Sequence, residues 1–409
     1  MSERIVIVGA SLAGVKAAET LRAEGFTGPV VMLDGAHDLP YDRPPLSKGA
    51  LLGSETYDSA ALHPERWYAE HDIDLRLGRP VRRLDLSAHQ VHVHGQDELR
   101  YDRLLLATGS SVRRVAVPGA DAEGVHYLRT LEESQRLHKR FADRPAVVVV
   151  GAGWIGLEVA AAARHHGASV TIVEPQPTPL HGVLGPEVGQ IYADLHTSHG
   201  VDLRVGDGLQ EVLTESGHVS GVLTTLGQRI PADMVVVGIG VTPNVELAED
   251  AGLEVDNGVL CDQSLRTSDP DVYAAGDIAH WFNPLLGRRV RVEHWANAHD
   301  GGQAAGRAML DQEVVYDVVP FFFSDQYDTG MEYAGYVPRG ARPTVVLRGD
   351  VDAREFMAFW LDDGRLLAGM HMNVWDTIDD VQALIRAGER LDPERLADPG
   401  VPLAEVAGK

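Results

Sequence analysis

The 409-residue sequence predicts an α/β protein: two Rossmann-like dinucleotide-binding domains followed by a small C-terminal α+β domain. Two observations carry that reading. A pattern of strand, glycine turn, helix, strand and terminal acid occurs twice, first at the N-terminus and again from Ala146. Beyond Pro320 the pattern changes to a hairpin followed by a polar helix.

The first copy reads Arg4-Ile-Val-Ile-Val-Gly-Ala-Ser-Leu-Ala-Gly14, then a helix to about Glu24, then Pro29-Val-Val-Met-Leu-Asp34. The second reads Ala146-Val-Val-Val-Val-Gly-Ala-Gly-Trp-Ile-Gly156, a helix to His166, then Ala168-Ser-Val-Thr-Ile-Val-Glu174. Each part has a physical task. The first glycine (Gly9, Gly151) permits the tight turn, and the second (Gly153) lets backbone approach a pyrophosphate. The third (Gly14, Gly156) lets helix pack on strand. The helix N-terminus, opened by Leu12-Ala13 and by Trp154-Ile155, offers free N–H groups and partial positive charge to phosphate. The acids Asp34 and Glu174 suit ribose hydroxyls. In the first copy Ser11 replaces the second glycine; its hydroxyl can donate to a phosphate oxygen.

Two units imply two nucleotides, in the usual arrangement FAD on the first and a nicotinamide on the second. Glu174 is followed by Pro175-Gln176-Pro177, with no Arg or Lys close behind. A carboxylate there repels a 2′-phosphate, so NADH is expected rather than NADPH.

Composition narrows the class. Hydrophobic residues make up 44% and charged residues 23%, as in a globular protein with a sizeable core. A formal net charge of −24 disfavours nucleic acid and anionic membrane as general partners. Cys261 is the single cysteine, so no intramolecular disulfide or thiolate metal cluster is expected; a reducing cytoplasm fits. Met1-Ser2-Glu3-Arg4 runs into an apolar stretch too short and too glycine-broken for a signal peptide. From Pro145 to Ala163 the only charge is Glu158; with the glycines it predicts strand, turn and helix rather than a membrane span.

Farther on, Ala274-Ala275-Gly276-Asp277-Ile278 follows an extended run and a Ser-Asp-Pro turn. Glu355–Leu361 and Arg365–Met372 flank Asp362-Asp363-Gly364, a hairpin signal, and a polar helix spans about Thr377–Ala387. The stretch from Leu391 is expected to be peripheral.

With these motifs in order, the chain resembles the FAD-dependent, NADH-oxidising ferredoxin reductases of bacterial oxygenases and cytochromes P450, which share the glutathione-reductase-like fold. The likeness spans nearly the whole chain. Pro40-Tyr-Asp-Arg-Pro-Pro-Leu-Ser-Lys48 corresponds to a segment along FAD, which implies contacts from Arg43 and Lys48. Arginine suits phosphate, and lysine suits the isoalloxazine, where negative charge appears on reduction. Ala107-Thr108-Gly109 resembles the crossover into the NAD domain, and Gly238-Ile-Gly240-Val-Thr-Pro-Asn244 the return. The implied domains are 1–110 and 245–319 for FAD, 111–244 for NAD and 320–409 at the C-terminus.

Gly276-Asp277 is implied to approach the FAD ribitol or pyrophosphate; read alone, Asp277 is a helix N-cap. Glu293-His-Trp-Ala-Asn-Ala298 resembles the family's Glu-x-Trp pattern, with Trp295 by the flavin and backbone from Ala296 at the pyrimidine edge. Read alone, Trp295 is a core or interface aromatic. Pro320-Phe-Phe-Phe-Ser-Asp-Gln326 carries Phe321, Phe322 and Phe323 where the family commonly has tryptophans. Its Ser324-Asp325-Gln326 matches and is implied to face the dimethylbenzene ring.

The implied activity is hydride transfer from NADH to FAD, then single electrons to a small [2Fe–2S] ferredoxin. Lys48, Glu158 and Trp295 are the residues expected beside the reacting rings. Glu158 corresponds to a carboxylate near the nicotinamide amide, and suits orienting the carboxamide or pairing with Lys48. An acidic ferredoxin needs a local basic dock on so acidic a protein; Arg288, Arg289 and Arg291 are the first candidates, Arg339 and Arg342 the second. Other readings stay open: a disulfide or peroxide reductase, although the Arg43–Lys48 region has no cysteine; a rubredoxin or nitrite reductase component; or a flavin-binding scaffold or signalling protein.

Some residues are expected not to form sites. His89, His92 and His94 fall in an apparent strand, where His92 and His94 share a face, but no metal site is expected. His165-His166 suits a helix end. Cys261 is expected as a small buried hydrophobe.

Overall fold

Short apolar runs build the centre of the first sheet: fully buried Ile5–Val8, flanked by Val30–Leu33 and by Arg103–Leu106, buried from Leu104 on, with buried Val272–Ala274 at one edge and the mixed, partly exposed Ile73–Arg76 at the other. All four pairings are parallel. Such runs without polar alternation are what a sheet covered on both faces requires. The computed structural model describes residues 3–95 and 98–407. Met1 and Ser2 of the leader-peptide reading, and the last two residues of the C-terminal domain, lie outside them.

The chain divides into two units. The first holds Met1–Asp42, Asp58–Ser111 and Thr242–Pro320, and the second Arg43–Tyr57, Val112–Val241 and Phe321–Lys409. In the first, Val8 pairs with both Leu33 and Leu106, so Gly9, Asp34 and Ala107 gather at the carboxyl ends of the strands. In open α/β sheets that edge is where ligands bind. The helix Leu12–Ala23 packs against Trp295–Ala308 through small residues. A Cβ on Gly302 would lie 2.3 Å from the Ala13 carbonyl oxygen, so the helices touch backbone to backbone.

The second unit repeats the plan. Ala146–Val150 lies at the centre of a parallel sheet, with Ser169–Glu174 and Asp202–Val205 on one side and Met234–Val237 and Val125–His126 on the other. Val150 pairs with Val173 and Val237, which gathers Gly151, Glu174 and Gly238 at one edge. The segment 145–163 is thus a strand, a glycine turn and the helix Trp154–His165. Among the described residues no helix is long and apolar enough to cross a membrane.

The same unit carries a five-stranded antiparallel sheet in the order Phe321–Gln326, Thr329–Gly335, Arg365–Met372, Glu355–Asp362, Thr344–Asp350. Asp363 (φ 47°) and Gly364 (φ 75°) make the hairpin turn, both left-handed as a two-residue connection demands. The helix Ile378–Ala387 covers the sheet, with Val381 against Gly369, where a Cβ would come within 2.8 Å.

Two expectations change. His92 and His94 do not share a strand face: the strand is only Gln90–Val93, with His94 in the turn after it and His89 (φ 51°) in the turn before it. His92 instead meets Arg83 at 2.6 Å and Glu98 at 3.4 Å, and no metal-binding group of side chains occurs among the described residues. Nor is Asp277 a helix N-cap. It lies inside a three-residue 3₁₀ turn, Gly276–Ile278, capped by Ala275, because the chain enters the strand Ala279–Asn283 at once.

Candidate active site

The two glycine turns share one construction. Gly9 (φ 110°) and Gly151 (φ 99°) are left-handed, and a Cβ there would lie 2.1 Å from the Ala107 oxygen or 2.5 Å from the Gly238 oxygen. Gly14 and Gly156 sit against the first glycine's carbonyl, where a Cβ would come within 2.0 and 2.1 Å. The middle position differs. A Cβ on Gly153 would meet nothing closer than 3.9 Å, so the fold itself does not require glycine there. The room beside it suits a pyrophosphate. Ser11, in the equivalent place, has φ −95° and ψ −170°, close to the −79° and 179° of Gly153. Both are extended, so serine is held without backbone strain.

The terminal acids match as well. Asp34 accepts from the backbone N–H of Ala10 (2.7 Å) and Ala36 (2.8 Å), and Glu174 from those of Ala152 (2.7 Å) and Gln176 (2.8 Å). Each carboxylate thus braces its glycine turn and keeps lone pairs for ribose hydroxyls. In the second unit Ile155 and Ile239 are 43% and 40% exposed, and Ile239 lies beside Gly151. They give the turn an apolar margin suited to a flat ring. Exposed Gly240 ties the segment down, its carbonyl accepting from Arg113 N–H at 2.9 Å.

In the first unit the crossover segments clasp each other. The Thr108 hydroxyl donates to the Asn244 carbonyl (2.7 Å), Asn244 Nδ2 donates to the Thr108 carbonyl (2.8 Å), and Asn244 N–H donates to Gly109 (2.9 Å). Trp295 begins the helix Trp295–Ala308 and is 37% exposed, so it is no core aromatic. Its indole N–H donates to Asp42 at 2.8 Å, and its ring stacks on His299. Ala296 follows on the same turn of helix. Buried Asn297 bonds the carbonyls of Gly276 and Val292, both at 3.3 Å, and so ties the Gly276-Asp277 turn to the helix start. Gly276 (φ 75°) faces Ala13, with 3.1 Å left for a Cβ. The 3₁₀ turn therefore sits beside the helix that opens the first glycine motif. These features fit an adenine dinucleotide whose pyrophosphate lies on that helix end.

The arginine cluster is not uniform. Arg288 and Arg289 are exposed on the strand Arg288–Val290, and Arg289 is held by the carbonyls of Cys261 (2.6 Å) and His280 (3.3 Å). Arg291 departs from the expected dock. Its side chain is 9% exposed, and it pairs with Glu293 at 2.7 Å and donates to the Asp277 carbonyl at 3.1 Å. The pairing engages Glu293 as well. Arg339 and Arg342 are exposed. Cys261 is 1% exposed and burial pushes its thiol well up, so it is no redox nucleophile.

In the second unit Glu158, on the helix Trp154–His165, is 3% exposed and accepts three charge-assisted hydrogen bonds. Lys48 Nζ and the Ser324 hydroxyl donate to Oε1 at 2.7 and 2.6 Å, and the Ser47 hydroxyl donates to Oε2 at 2.5 Å. A buried carboxylate needs this compensation. Lys48 Nζ also lies 5.4 Å from the Phe323 ring centre. Phe322 packs edge-on to Trp154 and stacks on Tyr333, so the phenylalanines build the packing of this sheet. Arg43 precedes the short turn Pro44–Leu46 that presents Ser47 and Lys48. Asp42, Ser47 and Asn297 escaped the sequence reading. Each stands inside a quoted motif; the partners of Asp42 and Ser47 are remote in the chain, and Asn297 bonds backbone carbonyls that no motif spells out.

Comparison with known proteins agrees with this geometry. Residues 3–302 match the family described as pyridine nucleotide-disulphide oxidoreductase, and residues 321–407 the reductase C-terminal family. Rhodocoxin reductase of Rhodococcus erythropolis is 40% identical over 96% of this chain and 92% of its own. The ferredoxin–NAD(+) reductase component of the anthranilate 1,2-dioxygenase system of Burkholderia cepacia is 40% identical over 98% of both. The crystal structure of the covalent putidaredoxin reductase–putidaredoxin complex contains a chain matching with TM-score 0.95 and 35% identity, over 99% of this chain and 98% of that one. With both glycine turns, both bracing acids and the C-terminal domain in place, the chain belongs to the FAD- and NAD(H)-dependent ferredoxin reductases of the pyridine nucleotide-disulphide oxidoreductase family.

Proposed function

We propose that this flavoprotein oxidises NADH and passes the electrons singly to a small [2Fe–2S] ferredoxin serving an oxygenase or a cytochrome P450, in a reducing cytoplasm. The acceptor is read from likeness to reductases named for such systems. When bound, FAD accepts a hydride as a pair and releases electrons one at a time. The observation that carries the proposal is the doubled glycine turn, each copy braced by its own carboxylate, with Lys48 paired to buried Glu158 at the second.

This chain's residues supply position and charge. Ser11, Gly14 and the N-terminus of Leu12–Ala23 offer donors to the FAD pyrophosphate, with Arg43 and Asp277 as further contacts. Thr108 and Gly109 shape the clasp with Asn244. Gly151, Gly153, Trp154, Ile155 and Gly156 receive the nicotinamide dinucleotide, and Glu174 reads its ribose. Glu158 holds Lys48 by an ion pair and keeps a lone pair for the carboxamide N–H₂. Lys48 brings positive charge to the place where hydride arrives. Trp295, held by Asp42, presents a ring face at the flavin.

Glu174 decides the coenzyme. Its carboxylate oxygens already hold Ala152 and Gln176, and a 2′-phosphate beside them meets repulsion, with no Arg or Lys close behind Glu174 in the chain to offset it. Glu174→Ala is expected to narrow the ratio of kcat/KM for NADH over NADPH by about tenfold, the scale of one lost charge–charge discrimination. Equal use of both coenzymes by the unaltered protein contradicts this role. Flavin released on denaturation is expected to be FAD, and release of FMN contradicts the assignment of the first turn.

A further inference from the structure

Behind Glu158 the second unit carries a line of buried polar side chains whose hydrogen-bond directions follow from donor accounting. Ser324 donates to Glu158 Oε1 at 2.6 Å, and Gln326 Nε2 lies 3.2 Å from Ser324 Oγ. Gln326 Oε1 lies 2.8 Å from His196 Nε2, and His196 Nδ1 lies 3.2 Å from the Tyr327 hydroxyl. Ser324 and Gln326 are alternate residues of one strand and so share a face. His196 comes from the helix His181–Ser198. Ser324, Gln326 and His196 are 2%, 3% and 0% exposed, so water does not substitute for these partners.

Opposed by Lys48, Glu158 is a carboxylate and only accepts. Ser324 must therefore give it the hydroxyl proton and keep lone pairs alone. Gln326 must then turn its amide N–H₂ toward Ser324 and its oxygen toward His196. His196 must carry its proton on Nε2, which leaves Nδ1 to accept from Tyr327. Burial pulls this imidazole down to about 4, so it stays neutral and keeps that acceptor. Every donor in the line points toward Glu158.

We infer that His196 and Gln326 are positioning residues for the hydride step: their donor direction pins the Ser324 hydroxyl on Glu158 Oε1 and sets the plane in which that carboxylate meets Lys48 and the nicotinamide amide. The inference rests on the proposed role of Glu158. His196 and Gln326 are buried behind Ser324 and act through it. Without Gln326 the Ser324 hydroxyl loses the partner that orients it, and Glu158 gains freedom to turn away from Lys48.

The FAD-loaded enzyme, labelled with ¹⁵N-histidine, tests the direction first. The His196 ring, assigned by its loss in His196→Gln, is expected as the neutral Nε2–H tautomer. An Nδ1–H tautomer reverses the line and overturns the inference. Anaerobic single-turnover reduction by NADH tests the consequence. Gln326→Leu is expected to slow flavin bleaching at saturating NADH about tenfold, the scale of one buried hydrogen bond, while the NADH dissociation constant changes less than about twofold. His196→Phe should behave alike, and His196→Gln, which keeps a donor and an acceptor, should recover most of the rate. If His196→Phe does not accumulate as holoenzyme, the tautomer and Gln326→Leu decide. Glu158→Gln is the control. An unchanged rate there refutes the role of Glu158 itself. A slowed rate there with an unchanged rate in Gln326→Leu refutes the positioning line alone.

Discussion

At the scale of single residues, burial without water makes each partner count. Glu158 is buried against one cation and two hydroxyls. Lys48→Met leaves the carboxylate facing hydroxyls alone, and breaking such a pair costs about 3–5 kcal/mol. The double variant Lys48→Met/Glu158→Gln removes the stranded charge, so it should recover part of that loss. Urea unfolding of the holoproteins checks both, and an unaltered midpoint in Lys48→Met contradicts the account. His196 gives a pH test. Its folded value of about 4 lies below the ordinary 6.5, so between those values the unfolded chain binds the extra proton. Stability is full above about pH 6.5 and falls as pH drops through that window, by about 3 kcal/mol at its foot. His196→Gln should flatten the stability profile there, and an unchanged profile contradicts the buried neutral ring.

At the scale of elements, the two turns separate what the fold needs from what a ligand needs. Gly14→Ala drives a Cβ against the Gly9 carbonyl, so it should lose FAD and lower the melting temperature. Gly153→Ala meets open space and should keep the melting temperature while raising KM for NADH. A drop in melting temperature as large as that of Gly14→Ala contradicts the distinction. These turns were legible in the sequence because strand, glycine, helix and acid are local and periodic. So were the hairpin at Asp363-Gly364 and the helix Ile378–Ala387. The clasps were not. Trp295 meets Asp42 across 253 positions, and Glu158 meets Ser47 and Ser324 across 111 and 166. No period or spacing encodes such pairs, since they form only once the chain has folded. The N-cap alternative for Asp277 fails for a local reason, a turn too short to become a helix. Arg291 was misread because adjacent charges in sequence do not tell which one finds a carboxylate.

At the scale of the whole molecule, a net charge of −24 would oppose approach by an acidic ferredoxin such as the one proposed, and docking of such a partner would depend on local cations. With Arg291 engaged by Glu293, Arg288 and Arg289 remain as the exposed pair of that cluster. Rim charges act mainly on association. The double variant Arg288→Glu/Arg289→Glu should therefore raise KM for ferredoxin several-fold and leave NADH oxidation by ferricyanide intact; equal loss of both activities, or of neither, contradicts this dock. The central claim is the sequence of electron transfers, and anaerobic stopped flow with NADH, the FAD-loaded protein and a panel of purified [2Fe–2S] ferredoxins tests it most directly. The account predicts flavin bleaching by NADH followed by reduction of a ferredoxin at two equivalents per NADH. Rapid bleaching with every ferredoxin left oxidised would contradict it.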